Sequence, residues 1–96
     1  MMMRPKDNLV TKIYIYCLFD RYDNFLGVYS SLKAVHRDAI KACNRGHSKV
    51  WIVKDGSTSP CTLVSLRNVF KGKCNYEVRY QSDVQCIKIF KTKLKE

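Results

Sequence analysis

The chain predicts an α+β fold: one small domain of order β-β-α-β-α-β-β, a mainly antiparallel sheet with one main helix packed on it. Three observations predict it. Runs rich in Ile, Val, Tyr and Phe recur at 13–19, 25–29, 50–53, 76–80 and 84–90, the mark of strands. A single stretch, 32–43, carries apolar residues at helical spacing. With 96 residues there is room for one domain with one thin core.

The elements follow in order. Residues 1–11, within "MMMRPKDNLVT", are polar and read as an N-terminal arm, leaving 12–96 as the domain. From Ile13 to Phe19 both alternating faces are apolar: Ile13, Ile15, Cys17 and Phe19 on one, Tyr14, Tyr16 and Leu18 on the other. A strand apolar on both faces belongs inside a sheet. Asp20–Asn24 is a turn cluster, and Phe25–Tyr29 returns as the second strand of a hairpin. Ser30 or Ser31 then caps a helix whose stripe is Leu32, Val35, Ala39, Ala42 and Cys43, with Gly46 as its stop. Val50–Val53 is a third strand, ending at the turn Asp55-Gly56. The segment "STSPCTLVSLRNVFKGK" admits two readings. Either Ser59 caps a helix with Pro60 at its first position, or Thr62–Val64 is extended and Ser65 caps one short turn. In both, Leu66, Val69 and Phe70 face inward and Gly72 ends the element. Tyr76, Val78 and Tyr80 alternate with Glu77, Arg79 and Gln81, a half-exposed antiparallel strand. The last strand, Val84–Phe90, slips in apolar phase between Cys86 and Ile87, which predicts a bulge or strong twist.

Charge and composition narrow the function classes. The chain has 18 Lys and Arg against 8 Asp and Glu, a net +10, which favours an acidic partner such as nucleic acid, an acidic protein face or anionic lipid. The longest apolar run, Ile13–Phe19, is too short to span a bilayer. The start lacks the apolar core of a signal peptide. Five cysteines at wide spacing give no disulfide framework and point to a reducing compartment, not secretion.

Five kinds of site are weighed against plainer readings. Lys33, Arg37, Lys41 and Arg45 recur every four residues and drift across about 120° of the helix face opposite the apolar stripe. Like charges at this spacing repel by roughly 0.2–0.5 kcal/mol per pair, so a phosphate or carboxylate surface would relieve them. The plainer reading is a solvated face softened by Asp38. Lys91, Lys93 and Lys95 alternate and, in a strand, share one face; they are either edge lysines that block stray strand pairing or a stripe facing nucleic acid. Tyr14, Tyr16 and Tyr22 are candidates for partner packing, and strand tyrosines can also stack bases. Core or interface packing is the plainer reading, and no glycine-aromatic signature of an RNA-recognition sheet is present. Cys43 and His47 lie at a Cys-x3-His spacing but lack companions for a zinc site. No catalytic motif occurs, the carboxylates Asp20 and Asp23 sit at an open hairpin tip, and a Cys43–His36 pair has no supporting third group. The reading is therefore a non-enzyme without metal or cofactor.

The stretch "KIYIYCLFDRYDNFLGVYSSLKAV", followed by "VWIVKDG", resembles the small open reading frames of large nucleocytoplasmic DNA viruses over about residues 12–56. These pair a Tyr/Ile-rich strand with a "GVYSS" strand-to-helix join and a later aromatic strand. The resemblance implies a minor component of the capsid shell, located in the virion or the host cytoplasm. The expectation is thus a small basic structural or interaction protein whose partners are other proteins of an assembly. A nucleic-acid-binding module using the basic helix face and the lysine-rich C-terminus is the alternative, and an inhibitor of a host protein is a second.

Overall fold

A computed structural model describes residues 13–44 and 49–94. Its elements are β1 (Tyr14–Asp20), β2 (Phe25–Tyr29), α1 (Leu32–Cys43), β3 (Trp51–Lys54), β4 (Ser57–Pro60), α2 (Leu63–Phe70), β5 (Tyr76–Gln81) and β6 (Cys86–Lys93). The strands form one sheet of order β2-β1-β6-β5-β3-β4, and every neighbouring pair is antiparallel. The fold is α+β, as the sequence predicts, with one more strand, and the second helical element is an eight-residue helix rather than a single short turn.

Local chemistry explains most boundaries. Asp20 closes the β1–β2 loop by accepting hydrogen bonds from the backbone of Tyr22 (2.8 Å) and Asn24 (2.9 Å). The Ser31 side chain accepts from the Ala34 backbone N–H and caps α1. Asp55 and Gly56 both adopt positive φ (49° and 81°), the geometry of a two-residue hairpin turn whose twist suits the strands. That turn sends the chain straight back as β4, so Ser57–Pro60 is a strand rather than the start of a helix. Pro60 ends this edge strand, where a missing N–H matters least. Thr62, neither Ser59 nor Ser65, is the cap of α2: its hydroxyl accepts from the Ser65 N–H at 3.0 Å.

Two further expectations are corrected. No bulge interrupts β6 between Cys86 and Ile87; both residues pair in continuous register with β5. The register shift lies instead between Leu18 and Phe19, where β1 meets β2. Nor is the lysine-bearing C-terminal strand an edge. β6 runs between β1 and β5, so the need for edge-blocking lysines does not arise there.

The helices α1 and α2 pack against each other and on one face of the sheet, enclosing Leu18, Ile52, Val78, Tyr80, Ile87 and Ile89 beneath Val35, Ala39, Cys43, Leu66 and Phe70. Burying one such aliphatic or aromatic side chain contributes about 1.5–3 kcal/mol. The opposite face of the sheet has no covering layer among the described residues.

Candidate functional site

The uncovered face is assembled by strand register. One row across the sheet is Phe25–Phe19–Lys88–Arg79–Val53–Thr58; the next is Val28–Cys17–Phe90–Glu77. Ile15 extends the apolar end, and Trp51 stands at the far side beside Gln81 and Pro60. Phe19 and Phe25 meet edge to face with ring centroids 5.8 Å apart. Phe25 and Val28 remain 59% and 55% exposed. The two strand cations in these rows are already paired: the Lys88 ammonium lies 2.6 Å from Asp23 and Arg79 lies 4.0 Å from Glu77. At the Trp51 end, Lys49, Trp51, Val53, Thr58, Gln81, Ser82 and Asp83 line a shallow hollow of about 370 Å³.

The helical side is different in charge. Lys33, Arg37 and Lys41 are exposed along α1, opposite its buried residues Val35, Ala39 and Cys43. Asp38 is the one acid of the two helices. It contacts Arg37 at 3.3 Å and accepts a hydrogen bond from the Tyr29 hydroxyl at 2.7 Å. These hydrogen bonds, that from Tyr29 foremost, hold its carboxyl below the usual range. Arg45 and Lys95 lie outside the described residues, as do the 1–11 arm, Gly46 and the Cys43–His47 spacing.

The strand tyrosines and the lysine tail take unexpected places. Tyr14, Tyr16, Lys91 and Lys93 all point to the helical side, as the pairings Tyr14↔Lys93 and Tyr16↔Lys91 require. Tyr16 packs on Phe70 at 5.8 Å between centroids. Burial, then the neighbouring Tyr14, raises the Tyr16 hydroxyl above its ordinary value. Tyr22 is 75% exposed at the hairpin tip. Lys93 is exposed, but Lys91 is only 8% exposed, so it cannot join an exposed basic stripe. Its ammonium donates to the Phe70 carbonyl at 2.9 Å and sits 4.4 Å above the Tyr14 ring. Sequence alternation carried the signal that Lys91 shares a face with Ile87 and Ile89, but its charge pointed the other way.

The Cys43–His36 pair does not form. The Cys43 thiol donates to the carbonyls of Tyr80 (3.4 Å) and Gln85 (3.6 Å), while His36 Nδ1 is 2.6 Å from the Tyr80 hydroxyl. Burial keeps the Cys43 thiol above its ordinary value and pushes that of Cys61 up to about 11, which leaves both protonated and poorly nucleophilic near neutral pH. Burial also holds the His36 imidazole below its ordinary value. Among the described residues, no three His, Cys, Asp or Glu side chains gather as a metal site, and no helix is long and apolar enough to cross a membrane. No family model, curated protein or solved structure matches the chain.

Proposed function

We propose that this chain is a small basic interaction protein, a minor component of a viral particle, that docks its uncovered sheet face against an apolar patch of a protein neighbour in the shell. The single observation behind this reading is the uncovered face, where Ile15, Cys17, Phe19, Phe25, Val28 and Phe90 cluster while Lys88 and Arg79 are neutralised from within. A face with aromatic and aliphatic side chains and its own charges paired suits a protein partner, because little charge is left to desolvate. Nucleic acid would find few free cations there.

The test is compositional. Particles purified from cells infected with the virus that encodes the chain, washed in high salt and quantified by mass spectrometry, should hold it at a fixed copy number. Abundance in the cell lysate with none in washed particles would reject the reading. The double substitution Phe25→Ser with Val28→Ser should lower the copy number while the isolated domain stays folded.

A second reading rests on the helical side, where Lys33, Arg37, Lys41 and Arg67 face one acid. Here the domain would hold nucleic acid by charge. Binding to a single-stranded oligonucleotide should then fall steeply with salt, and replacing Lys33, Arg37 and Lys41 with Gln should reduce the log–log slope by roughly 0.7–0.9 per lost phosphate contact. Binding that persists in high salt would contradict a purely electrostatic mode.

A further inference from the structure

On the helical side, Tyr16, Leu32, Arg67, Asn68, Phe70, Lys71 and Lys91 line a cavity of about 300 Å³ between the start of α1 and the end of α2. We propose that this cavity binds a nucleoside monophosphate, with its phosphate held by Arg67, Lys71 and Lys91 and its base laid against Tyr16. The assignment stands apart from the docking face and does not depend on it.

The reasoning starts from Lys91. A lysine is almost never this deeply buried without a counter-charge, and a buried ammonium is costly unless paired. Lys91 is 8% exposed, yet its contacts are a neutral carbonyl and two ring faces, Tyr14 at 4.4 Å and Phe70 at 5.9 Å. Among the described residues no carboxylate lies within 4 Å of it. An ammonium has three protons to donate, and the Phe70 carbonyl takes one.

Arg67 and Lys71 add two more cations to the same lining, which contains no acid. Phe70 is the last residue of α2, so the cavity also meets the negative end of a helix dipole, worth about half an elementary charge. Three full positive charges outweigh it. A phosphate monoester, with close to two negative charges and several acceptor oxygens, matches that surplus, and the Arg67 guanidinium suits it in shape.

The rest of the lining argues for a heteroaromatic ring beside the phosphate. The half-buried Tyr16 offers a ring on which a base can stack, and the buried Phe70, its centroid 5.8 Å away, fixes that ring in place. Leu32 closes the apolar side. The Asn68 amide supplies both a donor and an acceptor, the complement of a base edge and of no use to a plain phenyl ring. The volume lies at the small end of small-molecule sites.

Calorimetry on the full chain should compare AMP, adenosine, inorganic phosphate and phenyl phosphate at low salt. AMP should bind at least ten-fold more tightly than each of the other three. Arg67→Gln and Lys71→Gln, both at exposed positions, should keep the fold and each weaken AMP about ten-fold or more, leaving adenosine unchanged. Lys91→Met should do the same; if it fails to fold, the two exposed variants still decide. AMP no tighter than adenosine or phosphate would overturn the proposal, and phenyl phosphate equal to AMP would overturn the nucleotide assignment. Loss of AMP binding only on replacing Lys33, Arg37 and Lys41 would also overturn it.

Discussion

Leu18 and Cys17 are neighbours in β1, yet Leu18 is 2% exposed beneath the helices while Cys17 lies on the face that nothing described covers. The same alternation runs through β6, where Ile87 and Ile89 are buried and Cys86, Lys88 and Phe90 look the other way. One set of strands thus builds two surfaces of similar apolar character. The difference is the second layer. Under α1 and α2 apolar side chains hold the fold together; on the opposite face, residues of the same kind are left available to a partner. Charge divides in the same way, with cations paired inside the sheet face and in surplus over the helices.

The sharpest way to break this contrast is to truncate one residue on each face. Leu66→Ala removes a side chain at 0% exposure and should cost about 2–5 kcal/mol in urea denaturation. Phe25→Ser on the uncovered face should move stability by only ~0.5 kcal/mol. Equal losses would mean that the sheet face is part of the core. Next in size is the α2 cap: Thr62→Ala should lose about 1 kcal/mol, tying the second helix, and so the covered face, to one hydroxyl. Tyr80→Phe removes the hydroxyl that meets His36 and should cost about 0.5–1.5 kcal/mol.

His36 adds a pH dependence of known sign. Burial holds its folded-state value below the ordinary one near 6.5, so between the two the unfolded chain binds the extra proton. Stability contributed by neutral His36 is therefore fully present above about pH 6.5 and is lost as pH falls from there through the lower folded-state value. His36→Gln should flatten the acid side of a stability–pH curve; an unchanged curve would mean that the imidazole titrates freely. The smallest effect is expected from Lys33, Arg37 and Lys41 replaced by Gln together, a change within ~0.5 kcal/mol, because these side chains stand in solvent.

The comparison also shows what could be read from residues alone. The β1–β2 hairpin, α1 with its Ser31 cap, and β5 were legible because each has one clear period and one clear turn. β4 was not: Ser57–Pro60 is a polar edge strand with no apolar alternation, although the Asp55-Gly56 pair before it is a strong hairpin signal. Apolar residues on both faces of β1 placed it correctly inside the sheet, but periodicity cannot say which face a helix will cover. For that reason Tyr14 and Tyr16 stood out as partner-packing residues while Phe19, Phe25 and Phe90 did not. Lys91 was misplaced for a related cause, since a lysine reads as solvent-facing until the fold supplies the rings and the carbonyl around it. The lining of the cavity between α1 and α2 comes from β1, α1, α2 and β6, elements far apart in sequence that no local pattern joins.

The central position of β6 has a consequence for how the chain assembles. It is the keystone between a two-stranded piece, β2-β1, and a three-stranded piece, β5-β3-β4. β1 and β6 pair across most of the chain, from Tyr14↔Lys93 to Asp20↔Ile87, so their meeting requires closing a long loop, the slow kind of contact. Until that pairing forms, each piece presents an open edge able to recruit another chain. Shortening the chain ahead of Cys86 would therefore split the sheet, leaving only the helices to bridge its two pieces, and during synthesis the sheet has to wait for β6.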